Sequence, residues 1–447
     1  MRAHLAGFWA RAAALSLGLL ALTALVLIRG DRGDLRPMGV TPSDGASGVS
    51  ARAVIRVEYQ RALDPESARA AFRLEPPADG ALSVVGRELV FTPARPLLPG
   101  TSYAIVMAAG TGELTGRSSN GEVRTTFQTR APRLIVLRGP RGGRAAWIVD
   151  PESGAGARVS DAGDDVALVS ASPDGDELAY LAPRGQDGWA IKAARVDGRS
   201  TRLIAEGDGT VARLTWSPGG DLLAYEQSQL LGRRATPPRI WVVRADGQGS
   251  ALVYGRGDET GEQPVWSPNG RQLAFYDHRY SAFAVYGFSG RPQMVRAEVG
   301  SAVSWSPDGA AIAFTDRVGL NGSRLALKVA RPADGGAGQL TTGEAALADQ
   351  FPAWSPSGDW IAFTRLGSDT TYALWVSQPD GTGARQLHGG QRLPYTPPVW
   401  SPSGGAIALS RQSPPGDDRQ PPDAWIVPPD GTARPLPGGG TVVGWIP

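Results

Sequence analysis

The apolar positions of this chain alternate over short runs instead of recurring every three or four residues, so strands are expected throughout and long helices are not. In Ile55-Arg56-Val57-Glu58-Tyr59 the apolar side chains share one face and the charges the other, the pattern of a half-buried strand. The stretch Val303 to Thr315 reads Val-Ser-Trp-Ser-Pro-Asp-Gly-Ala-Ala-Ile-Ala-Phe-Thr. Val303 and Trp305 alternate with a serine, Ser306 to Gly309 has turn chemistry, and Ile312-Ala313-Phe314 is the apolar run of a buried strand. Proline presets φ at the second turn position and glycine supplies the freedom to leave. A β-hairpin is the expected unit.

That unit recurs, with Ser-Pro turns at prolines 173, 218, 268, 307, 356 and 402, spaced 45, 50, 39, 49 and 46 residues apart. Each is followed by a run such as Leu178-Ala179-Tyr180, Leu273-Ala274-Phe275 or Ile407-Ala408-Leu409. Five of the turns are preceded by tryptophan, at Trp216, Trp266, Trp305, Trp354 and Trp400, and the first by Ala171. A third strand type follows at Ala146–Val149, Trp189–Ile191, Ile240–Val243, Phe283–Tyr286, Leu325–Leu327, Leu374–Val376 and Trp425–Val427. A period of this length holds about four short strands, the content of one propeller blade.

The first set, from Leu134, lacks a Trp-Ser-Pro strand before it, whereas the chain ends in Thr441-Val442-Val443-Gly444-Trp445-Ile446-Pro447. The economical arrangement has this C-terminal strand complete the first blade, leaving no open sheet edge. The expected fold class is therefore all-β, with a seven-bladed β-propeller over 131–447 closed by the C-terminal strand; six blades is the alternative if 134–160 only caps the ring. Residues 36–130 form a separate β unit, with strands at Leu89–Phe91, Tyr103–Val106 and Val123–Thr129, the length of an antiparallel sandwich. Only Arg130 to Arg133 separate the two, too short a linker to behave as a flexible coil.

The run Pro96-Leu-Leu-Pro-Gly-Thr-Ser-Tyr103 and the closing Thr125-Thr-Phe-Gln-Thr129 resemble the bacterial Ig-like domains of surface-layer and other envelope proteins. The Trp-Ser-Pro-Asp-Gly and Ile-Ala-Phe repeats resemble those of TolB-like propellers, WD40-like repeats also found in the non-catalytic propeller of prolyl oligopeptidase relatives. Ala171 in place of tryptophan and a seventh blade are departures from the TolB pattern. What the resemblance implies is an extracytoplasmic protein-binding scaffold.

Ala12 to Ile28 carries no charge and is flanked by Arg2, Arg11, Arg29, Asp31 and Arg32. Residues 1–29 are expected to be a single-pass transmembrane helix; a cleaved signal peptide is the rival, and Leu25 to Ile28 continue the apolar run past its small-residue site. This expectation and the resemblances together put residues 30–447 outside the cytoplasmic membrane, periplasmic or extracellular. A net charge of +2 excludes a nucleic-acid footprint. No cysteine is present, which excludes disulfides and thiol chemistry. Of the 45 basic residues only Lys192 and Lys328 are lysines.

Chemistry is sparse. The three histidines, His4, His278 and His388, fall in the anchor and in turns of different blades, and no Gly-x-Ser-x-Gly elbow exists. The chain is read as not an enzyme, with no cofactor; a ring closed by the last strand leaves no room for a catalytic domain. The repeated tryptophans read as core packing between sheets. Two candidate sites stand out. Asp165, Asp208, Glu262, Glu298 and Asp349 enter successive Trp-Ser-Pro strands and would ring one channel mouth, able to hold a metal or basic segment. Tyr276, His278, Arg279 and Tyr280 are the candidate partner contacts, being residue types enriched at interface hot spots.

The expected function is a membrane-anchored extracytoplasmic scaffold that binds a protein or cell-envelope polymer through its propeller, with the Ig-like domain as spacer. The alternatives are a metal-dependent propeller enzyme of lactonase or lyase type using the acidic ring, and the sensor part of a larger membrane assembly.

Overall fold

The computed structural model describes residues 35–446 except 95, 113–117, 141, 233, 320–321, 343–345, 413–421 and 431. The expected anchor at 1–29 and His4 lie outside the described residues, among which no helix is long and apolar enough to cross a membrane. The described chain is mostly β and divides into two compact units.

The first unit is a sandwich of two four-stranded sheets. One orders Pro37–Thr41, Ile55–Tyr59, Glu88–Pro93 and Gly80–Val85; the other orders Ala46–Val49, Val123–Thr129, Ser102–Met107 and Phe72–Glu75. Alternation does its work in Ile55–Tyr59, where Ile55, Val57 and Tyr59 are buried and Arg56 is exposed. Within the second sheet the cross-strand pair Tyr103 and Phe127 stacks its rings at 5.6 Å. A short helix, Pro65–Ala71, was not among the expected elements. Asp64 caps it by accepting the Ser67 N–H at 2.8 Å, and Pro65 occupies the first turn, where its missing N–H costs nothing.

The second unit is a series of antiparallel four-stranded meanders. Its first sheet places Gly156–Arg158, Ala145–Val149 and Arg133–Arg138 beside Thr441–Ile446, with Val442 opposite Val136 and Trp445 opposite Leu134. The second meander runs Leu168–Ala171, Glu177–Arg184, Gly188–Arg195, Thr201–Asp208; the third Thr210–Trp216, Leu222–Ser228, Arg239–Arg244, Ala251–Tyr254. Glu262–Trp266, Leu273–Asp277, Ala282–Tyr286 and Gln293–Arg296 make the fourth. The fifth (Ser304–Trp305, Ile312–Val318, Arg324–Ala330, Ala337–Gln339) and sixth (Ala346–Trp354, Ile361–Gly367, Tyr372–Ser377, Arg385–Gln391) merge into one eight-stranded sheet through a single parallel pair, Leu325 with Ala348. Val399–Trp400, Ile407–Ser410, Ala424–Val427 and Arg434–Pro435 complete the series.

The Ser-Pro turn explains its own composition. The serine carbonyl accepts the glycine N–H three residues on, and its Oγ accepts the N–H five residues on: Glu177 to Ser172, Leu222 to Ser217, Gln272 to Ser267, Ala311 to Ser306, Trp360 to Ser355 and Ala406 to Ser401, all at 2.9–3.1 Å. Each turn glycine takes a left-handed φ, +70° to +87° from Gly175 to Gly404. The proline works between meanders. A Cβ placed on Gly220, Gly270, Gly309, Gly358 or Gly404 would lie 3.4–3.8 Å from the proline of the preceding turn.

The tryptophans link the same neighbours. The indole N–H of Trp266 donates to the Thr215 carbonyl, Trp305 to Val265, Trp400 to Ala353 and Trp445 to Val399, at 2.9–3.3 Å. In each case the acceptor is the residue before the previous repeat's tryptophan. Trp354 instead donates to its own turn at Gly358, and the buried Trp216 Nε1 has no partner. In both exceptions the residue before the previous motif position is serine, and Ser170 and Ser304 Oγ accept the backbone N–H of Trp216 and Trp354 at 3.0 and 2.9 Å.

Between consecutive meanders lie separate apolar cores: Ile148 with Tyr180, Ile191 with Tyr225, Ile240 with Phe275, Phe283 with Phe314, Leu327 with Phe363, and Leu374 with Leu409. Another joins Ile426 and Leu436 of the last meander to Leu134 and Val136 of the first sheet. If the indole bond matters beyond bulk, Trp400→Phe lowers the unfolding free energy by about 1–2 kcal/mol, since it strips the Ala353 carbonyl of its donor. Trp216→Phe, which removes an unpaired N–H, costs less. Urea titration of the two variants beside the wild type reads the difference, and equal losses would refute the indole link.

Candidate functional site

Each first strand runs toward its Ser-Pro turn, so residues entering it gather at the opposite end of the sheets with the hairpins joining second and third strands. Sequence alone left the five acidic candidates there as a ring of carboxylates; the structure pairs three of them. Asp165 accepts the Arg144 N–H at 2.8 Å and lies 3.5 Å from its guanidinium. Glu262 lies 2.9 Å from His278 Nε2, so one residue from each candidate set meets the other. Asp349 is 2% exposed and grips Arg365 in a two-toothed ion pair at 2.6 and 2.9 Å, while the guanidinium lies 4.3 Å from the Trp375 ring centre. Asp208 closes the outermost strand of its sheet and Glu298 sits in an exposed loop, so neither belongs to an inner strand.

Other charges at this end are balanced in the same local manner. Lys192 reaches Asp161 and Asp164 at 2.9 and 2.7 Å, and Lys328 reaches the buried Asp316 at 2.8 Å. Burial opposes the Lys192 charge, but the two carboxylates prevail and hold its pKa above the ordinary value. Glu226, 8% exposed, is pushed up by burial; it accepts the Gln263 N–H at 2.9 Å, with Arg213 across the strand pair. Among the described residues no three His, Cys, Asp or Glu side chains come together as a metal-binding group.

Of the candidate contacts, Tyr276 is corrected. It lies inside Leu273–Asp277 with 2% exposure, its hydroxyl donating to the Ala297 carbonyl, because alternation turns it into the core shared with the fifth meander. His278, Arg279 and Tyr280 do stand on the hairpin. Asp277, fully buried, organises it by accepting from Tyr254 Oη, Thr260 Oγ1 and the Arg279 N–H. Tyr280 is 52% exposed and lies 5.5 Å beneath the Arg279 guanidinium. The neighbouring hairpin of the third meander carries a feature missed from sequence: Leu230 and Leu231 are exposed on a small extra ladder against Arg234 and Ala235. The signal for it was the 50-residue interval between Pro218 and Pro268, the widest in the series.

His388 also departs from its expected place. It sits in the strand Arg385–Gln391, packed on Trp425 and Tyr395 at 5.0 and 5.9 Å, with a buried, unpartnered Nε2.

Residues 34–129 match the bacterial Ig-like domain family. A segment of 39 residues is 59% identical to the Tol-Pal system protein TolB of Gluconobacter oxydans. The chain thus carries an Ig-like domain and a segment similar to TolB. The TolB match spans 9% of the chain and 8% of that relative, well short of its whole length. In fold, the propeller is similar to a prolyl endopeptidase structure, with a TM-score of 0.52 and 14% identity over 70% of this chain and 50% of the other. TolB from Acinetobacter baumannii aligns over 84% of this chain and 83% of its own, with a TM-score of 0.46 and 13% identity.

Two measurements probe the charges of the second unit. Arg365→Gln leaves Asp349 buried and uncompensated, at an expected cost of about 3–5 kcal/mol in denaturant unfolding; Arg365→Lys, keeping charge without the fork or the stack, falls between. Burial holds the His388 pKa below 6.5. The unfolded chain therefore takes up a proton that the folded one resists. The stability owed to neutral His388 is full above about pH 6.5 and declines as pH falls through the folded value. Midpoints measured from pH 8 to 5 are expected to fall more steeply for the wild type than for His388→Phe; parallel profiles would remove this assignment.

Proposed function

We propose that the chain is an envelope scaffold in which a closed, seven-bladed propeller recognises a protein partner through the hairpins at the end away from its Ser-Pro turns. In this reading residues 1–29 anchor it in the cytoplasmic membrane, the Ig-like domain is a spacer, and the chain is not an enzyme. The observation that carries the reading is the pair of neighbouring hairpins with Leu230, Leu231, Arg279 and Tyr280 exposed, beside charges that are paired within the fold. Aromatic and Arg side chains held on rigid hairpins suit recognition, whereas internally neutralised acids leave little charge for binding a cation. The core joining the last meander to the first sheet supports closure and the blade number. The match to a Tol-Pal system protein supports a protein as partner.

The test uses the full chain in detergent-solubilised membranes, with Leu231→Asp and Tyr280→Ala variants alongside. The expected result is one partner retained by the wild type and reduced about tenfold or more by either variant, with unchanged melting temperatures. Retention unaffected by both substitutions would move recognition off the hairpins. A stoichiometric divalent ion in the purified protein would favour the lactonase or lyase alternative.

A further inference from the structure

The turn joining the last two strands of a meander has a common device in this chain. Asp197, Asp246 and Asp380 each accept the N–H two residues on, and the glycine after each takes a positive φ. The fourth meander abandons it. Its turn reads Tyr286-Gly287-Phe288-Ser289-Gly290, and Phe288 is held at φ +63°, a left-handed conformation that bulky side chains rarely adopt. Full burial is not what the strain gains, for the residue stays 40% exposed.

Phe288 instead extends a row of aromatic rings that runs from the fourth meander to the outermost strand of the third. It lies 5.5 Å from Trp266 and 5.8 Å from Tyr286, and Tyr286 lies 6.4 Å from Tyr254. Phe288, Tyr286 and Tyr254, with Leu252 and Val253, floor a groove of about 570 Å³ between the third and fourth meanders. On its rim stand Arg256 and Arg291, both exposed and without an ion-pair partner among the described residues. The rim carboxylate, Glu259, accepts the Arg256 backbone N–H at 3.1 Å. An apolar floor with two unpaired guanidinium groups calls for a ligand that is apolar on one side and anionic on the other.

We propose that this groove binds an extended acidic peptide segment of a partner protein, with alternate apolar side chains on the aromatic floor and carboxylates against Arg256 and Arg291. A peptide fits better than a glycan because of the edge beside it. Ala251–Tyr254 is the outermost strand of its sheet and pairs only with Arg239–Arg244, so its outer edge offers N–H and C=O groups to an added strand. Alternation in such a strand sends every second side chain to the floor. This site lies on the outer strands and does not depend on the hairpin surface proposed above.

The probe is a phage-displayed random heptapeptide library, panned on the full chain at low salt, with enriched peptides resynthesised for fluorescence anisotropy. Expected are sequences alternating apolar and acidic residues, weakened about tenfold or more by the double variant Arg256→Glu, Arg291→Glu and unchanged by Tyr280→Ala. Phe288→Gly gives a second reading. It relaxes the turn, so the melting temperature holds or rises while peptide affinity drops, which a purely structural Phe288 would not produce. Failure of the library to enrich, enrichment of peptides without acidic residues, or affinity unmoved by the charge reversal each overturns the proposal. Retention of an anionic oligosaccharide that Phe288→Gly abolishes overturns it in favour of a carbohydrate site.

Discussion

The second unit depends on the fact that none of its meanders can bury its own faces. A four-stranded sheet has two apolar sides and no interior, so Phe275, Phe314 and Phe363 reach full burial only against the preceding sheet. The Ser-Pro-x-Gly turn and the tryptophan before it bring those sheets into register at one end. The serine closes its own hairpin, the proline meets the next turn's glycine, and the indole bonds the preceding strand. Two exceptions keep the logic. Where Ser170 and Ser304 offer a hydroxyl to the next strand's backbone, the indole is released, at Trp216 without a partner and at Trp354 to its own turn. One polar link between neighbours is kept, by a different atom.

Away from those turns, charges are neutralised largely within single sheets. Asp349 with Arg365, Asp316 with Lys328, and Asp161 and Asp164 with Lys192 are pairs formed between strands or from loop to strand within reach of each other. Both lysines of a chain otherwise served by arginine occupy such places. At Lys192 a compact ammonium sits between two carboxylates without the space that a planar fork requires, which gives that position a physical reason for lysine. The Arg365 guanidinium has that space because Trp375 supplies a flat face.

Departures from the repeat cluster in one part of the series. Phe288 replaces an Asp-Gly turn, the third meander carries an added ladder at Leu230–Ala235, and the hairpin at His278 to Tyr280 is shaped around a buried Asp277. Each lies on the third or fourth meander. Rigid, repetitive packing elsewhere gives these local features a fixed platform.

Hairpin chemistry, alternation and repeat spacing are local properties, which is why the first three strands of the repeats, four of the eight sandwich strands and the packing of the tryptophans were legible from the sequence by itself. The helix Pro65–Ala71 went unread: Asp64-Pro65 carries a capping signal, but seven residues are too few for an apolar periodicity. What the tertiary structure alone decided was the company each side chain keeps. Sequence placed Asp349 and Glu262 in similar positions before a tryptophan; a bulged strand pairs one with Arg365 and an adjoining hairpin brings His278 to the other. It likewise assigned Tyr276 and Tyr280 to one cluster, while alternation buried the first and the turn exposed the second. Charge pairing and exposure depend on contacts between strands and loops, and a linear pattern carries those only where the repeat is unbroken.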